Sequence, residues 1–276
     1  MSAPAATPAR PRVMGIVNVT PDSFSDGGRH ASFEAALALA RRLIAEGADI
    51  LDIGGESTRP GAEPVPADVE AERVVPLIAA VRAESAIPLS VDTMKPQVAR
   101  AAVAAGATMW NDVTALAHAP ESLSTAAELG CDVVLMHMQG DPRSMQHAPV
   151  YGDVAAEVAA QLAARAEAAI AAGMARERIW LDPGVGFGKH RTRHNLPLIA
   201  RLDRLVALGF PVLLGVSRKS FIGALDPAGA GPRERLAGSV AAALAGAAAG
   251  VAALRVHDVR ETVQALAVWQ AIEAAR

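Results

Sequence analysis

Cysteine is nearly absent. Cys131 is the single example in 276 residues, which excludes a disulfide scaffold and any zinc site built on several thiolates. Beside an apolar run it reads as a small core residue. An excess of charge of either sign is missing too: 26 Lys+Arg stand against 29 Asp+Glu, a formal net charge of −3. That balance argues against a dedicated nucleic-acid binder or a membrane-surface protein. The opening MSAPAATPARPR holds no apolar stretch of the kind a secretory signal needs. It reads as a disordered tail over 1–12, ahead of one domain over 13–276 in a cytoplasmic protein. Charge is also absent from 236–254, a membrane-spanning length, but the stretch is mostly Ala with Gly238, Gly246 and Gly250 inside it. Lipid insertion is driven by Leu, Ile, Phe and Val, so a closely packed helix running into a buried strand is expected there instead.

What the chain does have is alternation. At 51% hydrophobic and 20% charged residues it is a compact globular sequence. Short Val/Ile/Leu runs are each followed by a polar turn and a longer stretch of helical period. Strands are predicted over 13–18, 49–53, 88–92, 108–112, 132–137, 179–182, 212–215 and 252–257. Helices are predicted over 32–46, 68–84, 95–105, 120–129, 153–172, 194–208, 233–249 and 258–274. Eight β-then-α units without a linker point to a single-domain (β/α)8 TIM barrel. A doubly wound open sheet is the alternative, but its first turn would often carry G-x-G-x-x-G, and here that turn reads NVTPDSFSDGG.

In such barrels the active site collects where the βα loops open, at the C-terminal strand ends. Those ends carry polar groups here: Asn18, then Glu56, Thr58 and Arg59, then Asp92, Asn111 with Asp112, His137, Asp182, the trio Ser217, Arg218 and Lys219, and finally Arg255 and His257. A lone Asp after a strand is usually a helix cap; a full ring of polar ends makes an active site. Asp92, Asn111 and Asp182 facing Lys219 suit a flat heterocycle that presents adjacent N–H donors and a carbonyl. Arg255 can stack its guanidinium on that ring. A second cluster of Asn18, Thr58, Arg59 and His257, with Gly27 and Gly28 in a flexible loop, suits an anion, and a magnesium ion on Asn18 would bridge a diphosphate. A heterocycle beside a diphosphate suggests displacement of that diphosphate.

Several near-motifs fail. DPGVGFGKH lacks the G-x-x-x-x-G-K-[ST] spacing of a phosphate loop and is not G-x-G-x-x-G, since Lys189 occupies the third glycine position. His190 and His194 are four apart with no glutamate to complete H-E-x-x-H, which leaves them a surface or helix-start role. No G-x-S-x-G elbow is present. His118 and His147 read as solvated loop residues.

Eight segments together carry a resemblance: GIVNVTPDSFSDGG (15–28), DIGGESTRPGA (52–62), PLSVDTMKP (88–96), NDVTAL (111–116), LMHMQGDPRSMQ (135–146), DPGVGFGK (182–189), GVSRKSFIG (215–223) and LRVHDVRET (254–262). In that order the chain closely resembles the dihydropteroate synthase family. The resemblance implies a (β/α)8 barrel, a homodimer, and condensation of (7,8-dihydropterin-6-yl)methyl diphosphate with 4-aminobenzoate in folate biosynthesis, with Mg2+ present. By motif, Asn18 is the magnesium ligand and Thr58 a diphosphate contact. Asp92, Asn111, Asp182 and Lys219 bind the pterin, while Arg255 and His257 hold the pterin and its diphosphate. Asp26 and Arg59 are the mobile-loop pair, with Phe24, Pro60, Phe187 and Ser217 near the aminobenzoate. Asp26, Arg59, Lys219 and His257 are the residues expected in catalysis, and sulfonamides are expected to mimic the aminobenzoate. Two rivals stand beside this reading: a catalytically weak pterin-binding paralogue, and a pterin-dependent methyltransferase, which leaves NVTPDSFSDGG, STRPG and SRKS unexplained. The sequence departs from the family at HRTR (190–193), where the loop has one extra residue and no Thr after the Lys. Trp110 also departs, standing where a smaller aliphatic is usual, either as a core anchor or as a change in pocket shape.

Overall fold

The structure, a computed structural model, describes residues 10–19, 28–57, 63–140, 145–146, 148–226, 228 and 231–276, with nothing said of the side chains of 28–31. Eight strands form one parallel sheet: β1 (Arg12–Asn18), β2 (Ile50–Gly54), β3 (Leu89–Asp92), β4 (Met109–Asp112), β5 (Asp132–Met136), β6 (Ile179–Asp182), β7 (Leu213–Leu214) and β8 (Ala253–Val256). The hydrogen-bonded order runs β6-β5-β4-β3-β2-β1-β8-β7. A Leu181–Val212 bridge and the Leu181 N–H to Pro211 carbonyl bond (2.9 Å) draw the two ends together. The sheet is a nearly closed barrel, as the eightfold alternation predicts.

Helices cover the outside: α1 (Gly28–Ala45), α2 (Ala67–Glu84), α3 (Pro96–Ala104), α4 (Ser122–Leu129), α5 (Val154–Ala171), α6 (Asn195–Ala200), α7 (Asp203–Val206), α8 (Ser220–Leu225), α9 (Leu236–Ala248) and α10 (Val259–Ala274). Two differ from expectation. The helix expected over 194–208 is broken at Arg201, whose backbone (φ −121°, ψ 34°) leaves the helical region, giving α6 and α7. The six-residue α8 between β7 and α9 is additional. No described helix is long and apolar enough to cross a membrane. The uncharged 236–254 stretch is α9 leading into β8. A methyl on Gly238 would fall 2.4 Å from Ile222 and one on Gly246 2.3 Å from Leu214, so its small residues let the helix press onto its neighbours.

Strand periodicity sorts the side chains. One parity (Val13, Val17, Leu51, Ile53, Leu89, Val91, Val133, Leu135 and their equivalents) faces the helices and forms the main core. Trp110 belongs to this outer set, fully buried, with its Nε1–H donating to the Thr93 carbonyl at 2.7 Å; it anchors the core and does not line the barrel mouth. The other parity faces inward. Its lower layer is an apolar plug of Met14, Ile50, Met109, Val134, Trp180, Leu213 and Ala253, with Arg12 over the Trp180 ring at 4.6 Å. Arg12 and Arg10 fall within the stretch expected as tail, yet Arg12 opens β1 and Arg10 pairs with Asp49 at 2.7 Å. The rest of that stretch, 1–9, lies outside the described residues.

Candidate active site

Two residues above the plug, the same inward parity turns polar. Parallel pairing sets Ile16 beside Asp52, Asp52 beside Ser90, Gly54 beside Asp92, Asp92 beside Asn111, and Met136 beside Asp182. Arg255 reaches in from β8. Its Nε donates to Asp52 Oδ2 and its terminal nitrogen to Asp92 Oδ2, each at 2.6 Å, and the Asn111 amide donates to the same Asp52 oxygen at 3.3 Å. The guanidinium is thus gripped along its edge. Although burial opposes the charge, Asp52 and Asp92 hold Arg255 protonated. Burial raises the pKa of Asp92, against the pull of Arg255, and the neighbouring Asp52 adds to the rise.

On the opposite wall, Asp182 ends β6 and accepts the Gly184 N–H at 2.7 Å, and burial raises its pKa. Lys219 lies at the N-terminal boundary of α8. Its ammonium sits 4.2 Å from the centre of the Phe187 ring, and burial lowers its pKa to about 8 while Asp182 resists. Three carboxylates (Asp52, Asp92, Asp182) therefore face two cations (Arg255, Lys219). The surplus of acceptors suits a ligand edge rich in N–H donors.

Ser217 and His257 form a second unit. The His257 backbone N–H donates to Ser217 Oγ at 3.2 Å, and the hydroxyl lies 3.0 Å from His257 Nδ1. Oγ has a second lone pair as well as its own proton, so the Ser217–His257 contact closes with either tautomer of the ring. Burial lowers the His257 pKa to about 3, so the ring is a neutral donor. Arg218, between Ser217 and Lys219, takes a left-handed φ of 57° and pairs with Asp258.

Asn18 ends β1. A methyl on Gly54 would lie 3.7 Å from Asn18 Oδ1 and 3.6 Å from Asp92 Oδ2, so glycine keeps this corner open to both oxygens. No described cluster of three His, Cys, Asp or Glu side chains forms a metal group. A single amide oxygen fits Mg2+ as part of a shell completed by substrate oxygens and water, the usual arrangement for this hard cation.

The structure brings Asn18, Asp92, Asn111, Asp182, Phe187, Ser217, Lys219, Arg255 and His257 to the same end of the barrel. Phe24, Asp26, Thr58, Arg59 and Pro60, with Gly27 and His147, lie outside the described residues. Glu56 is not free for chemistry: it accepts the Val65 N–H at 3.0 Å and pairs with Lys95, which also pairs with the fully buried Glu70. Asp112 is a turn residue, accepting from Thr114 N (2.7 Å) and Leu116 N (3.0 Å). His190 and His194 build their own loop, each accepting backbone N–H bonds at Nδ1. Cys131 is buried, and burial pushes its thiol up to about 11. Sequence reasoning missed Asp52, though a carboxylate at inward parity inside an otherwise apolar strand was a readable signal. It also passed over Lys189, whose ammonium is buried beneath the barrel mouth.

A barrel with a charged, donor-seeking pocket at the strand C-termini is an enzyme architecture. The family profile of pterin binding enzymes matches residues 14–257. Dihydropteroate synthase of Escherichia coli K12 is 48% identical over 268 residues, covering 97% of this chain and 94% of that one. The Xanthomonas albilineans dihydropteroate synthase solved with 4-aminobenzoic acid superposes with a TM-score of 0.90 at 57% identity, covering 96% of this chain and 94% of that one. The same enzyme in complex with 7,8-dihydropteroate gives 0.87 at 54%, with the same coverage. The fold and pocket are those of a pterin-binding barrel enzyme. Within that class, the chain belongs to the dihydropteroate synthase family.

Proposed function

We propose that this chain condenses (7,8-dihydropterin-6-yl)methyl diphosphate with 4-aminobenzoate to give 7,8-dihydropteroate and pyrophosphate, a transferase step of folate biosynthesis. The observation that carries the reading is the buried ring of Asp92, Asn111, Asp182 and Lys219 around the Arg255–Asp52 pair. Asp92 and Asp182 accept from the N–H edge of the pterin, Asn111 and Lys219 serve its remaining polar atoms, and Arg255 offers an open guanidinium face for stacking.

The bond from the exocyclic carbon to the diphosphate oxygen breaks, and its electron pair leaves with pyrophosphate. The positive charge left on carbon is delocalised into the dihydropterin. The aniline nitrogen of 4-aminobenzoate donates its lone pair to that carbon, forming the C–N bond, and then sheds one proton to water. No strong base is required, because the neutral aniline is already nucleophilic. The protein's part is to orient the amine, exclude water and bind the leaving charge. Neutral His257, in the tautomer that receives the Ser217 proton at Nδ1, offers Nε2–H to a diphosphate oxygen, with Thr58 beside it. Asp26 and Arg59 close over the reaction, and Phe24, Pro60, Phe187 and Ser217 surround the aminobenzoate. Asn18 would hold Mg2+ together with diphosphate oxygens, and the bound ion would offset the charge of the leaving group.

The decisive experiment is pyrophosphate release from the dihydropterin diphosphate. Release that requires 4-aminobenzoate and stops with EDTA establishes the reaction and the metal together. Tight pterin binding without release establishes the catalytically weak paralogue instead. A sulfonamide should inhibit competitively against 4-aminobenzoate. We further propose a cytoplasmic homodimer, checked by sedimentation at micromolar concentration; a monomer throughout refutes the assembly.

A further inference from the structure

Lys189 lies within DPGVGFGK yet touches none of the groups assigned to the pterin. Its side chain is 1% exposed. The Nζ atom has four acceptors around it: His137 Nδ1 at 2.9 Å, His137 O at 3.3 Å, Gly184 O at 3.0 Å and Phe187 O at 3.0 Å. Burial lowers its pKa to about 7, and both protonation states fit the nest. The ammonium donates three bonds, whereas the neutral amine donates two to carbonyls and accepts the third from the neutral Nδ1–H tautomer of His137.

The segment this amine ties down, 184–188, is pressed onto the backbone after β5. At Gly184 (φ +64°) a methyl would meet the His137 carbonyl oxygen at 1.9 Å, and at Gly188 (φ +58°) the Gln139 carbonyl oxygen at 2.3 Å. Outer bonds hold the same segment: the Asn195 side-chain oxygen accepts from Gly186 N at 2.9 Å, and the Tyr151 hydroxyl donates to Gly188 O at 2.9 Å. The opposite face of the segment is the wall of the site. Phe187 presents its ring to the Lys219 ammonium, and a methyl on Gly186 would fall 3.3 Å from Lys219 Cδ.

We propose that Lys189 is a positioning residue: by pinning the carbonyls of Gly184 and Phe187 to His137 from beneath, it holds the Phe187 ring against Lys219 and so sets the aminobenzoate subsite. This rests on the functional reading above. A residue acting through Phe187 should lose its effect once Phe187 is changed, because energies couple within one contact network.

The test is a double-mutant cycle of Lys189→Met and Phe187→Leu, with fold checked by circular dichroism. Each single variant is expected to raise KM for 4-aminobenzoate at least fivefold. Its Kd for the dihydropterin diphosphate should stay within twofold, and the double variant should be no worse than twofold beyond the weaker single. Multiplying losses in the double variant, an unchanged KM in folded Lys189→Met, or an equal loss of pterin affinity overturns the proposal. If Lys189→Met does not accumulate folded, Lys189→Gln, which keeps a donor for one carbonyl, is run through the same cycle against the same thresholds. Absence of aminobenzoate-dependent release in the unaltered protein overturns the functional reading, and the positioning role with it.

Discussion

Asp92 and Asp52 share one guanidinium, and this sharing decides what each can do for a ligand. Asp92 gives Oδ2 to Arg255, and that same oxygen lies on the side of Gly54 that Asn18 also faces. Replacing it by Asn removes the charge but preserves the shape. Charge-assisted hydrogen bonds contribute about 1.5–3 kcal/mol, so Asp92→Asn should weaken dihydropterin diphosphate binding roughly tenfold to hundredfold; unchanged affinity in a fluorescence titration would remove Asp92 from the pterin set. Lys219 gives the pH dependence. Its folded-state pKa is depressed from 10.5 to about 8 by burial, so the ammonium is present below pH 8 and lost above it. If the charged form is the active one, kcat/KM falls as pH rises through about 8, and Lys219→Arg, which stays charged, should lack that limb. A profile flat to pH 9.5 would separate Lys219 from the reacting charge. The polar strand ends were legible one by one in the sequence. Asp52 and Lys189 stand outside that pattern: Asp52 lies within a strand, where only its inward parity marks it, and Lys189 lies in a glycine-rich turn beyond the strand end.

Individual elements follow from local pattern where the pattern is long. The 18-residue helices α2 and α5 and all eight strands fall within one or two residues of their predicted places, and α1 ends within one residue of its predicted end but starts four residues earlier, since apolar periodicity at 2.0 or 3.6 residues is read directly from the chain. Short elements escape: α7 has four residues and α8 six, too few turns for a period to register. Segment 184–188 is an element of another kind, without repeating structure but held on both sides. Gly184→Ala should prove costly there, because it combines a left-handed φ with a methyl driven into a carbonyl oxygen. Backbone strain and overpacking together cost about 2–5 kcal/mol, read as a lower midpoint in urea. A loss below 0.5 kcal/mol would mean that the segment shifts freely away from the strand behind it.

At the scale of the whole molecule, the site is a product of barrel closure. Arg255 and Asp52 are separated by 203 residues and meet because β8 pairs with β1 and β1 with β2. Asp52 is fully buried. Removing one partner of a buried pair leaves an uncompensated charge, at a cost of about 3–5 kcal/mol. Arg255→Met should therefore destabilise the fold by that amount in urea unfolding. Adding Asp52→Asn should return much of the stability without returning pterin binding. If the second change recovers nothing, the pair does not carry the cost.

The sequence by itself determined the eight β/α units and most of the polar groups that meet at the barrel mouth. All of these depend on near neighbours in the chain, through strand and helix periods and turn chemistry. Only the tertiary structure decided which charges pair, that Trp110 faces the helices, that Glu56 and Asp112 support loops, and that Lys189 is sealed under Phe187. Those outcomes depend on which strands become neighbours when the sheet closes and on how far each group is removed from water, and neither quantity is carried by any local stretch of residues.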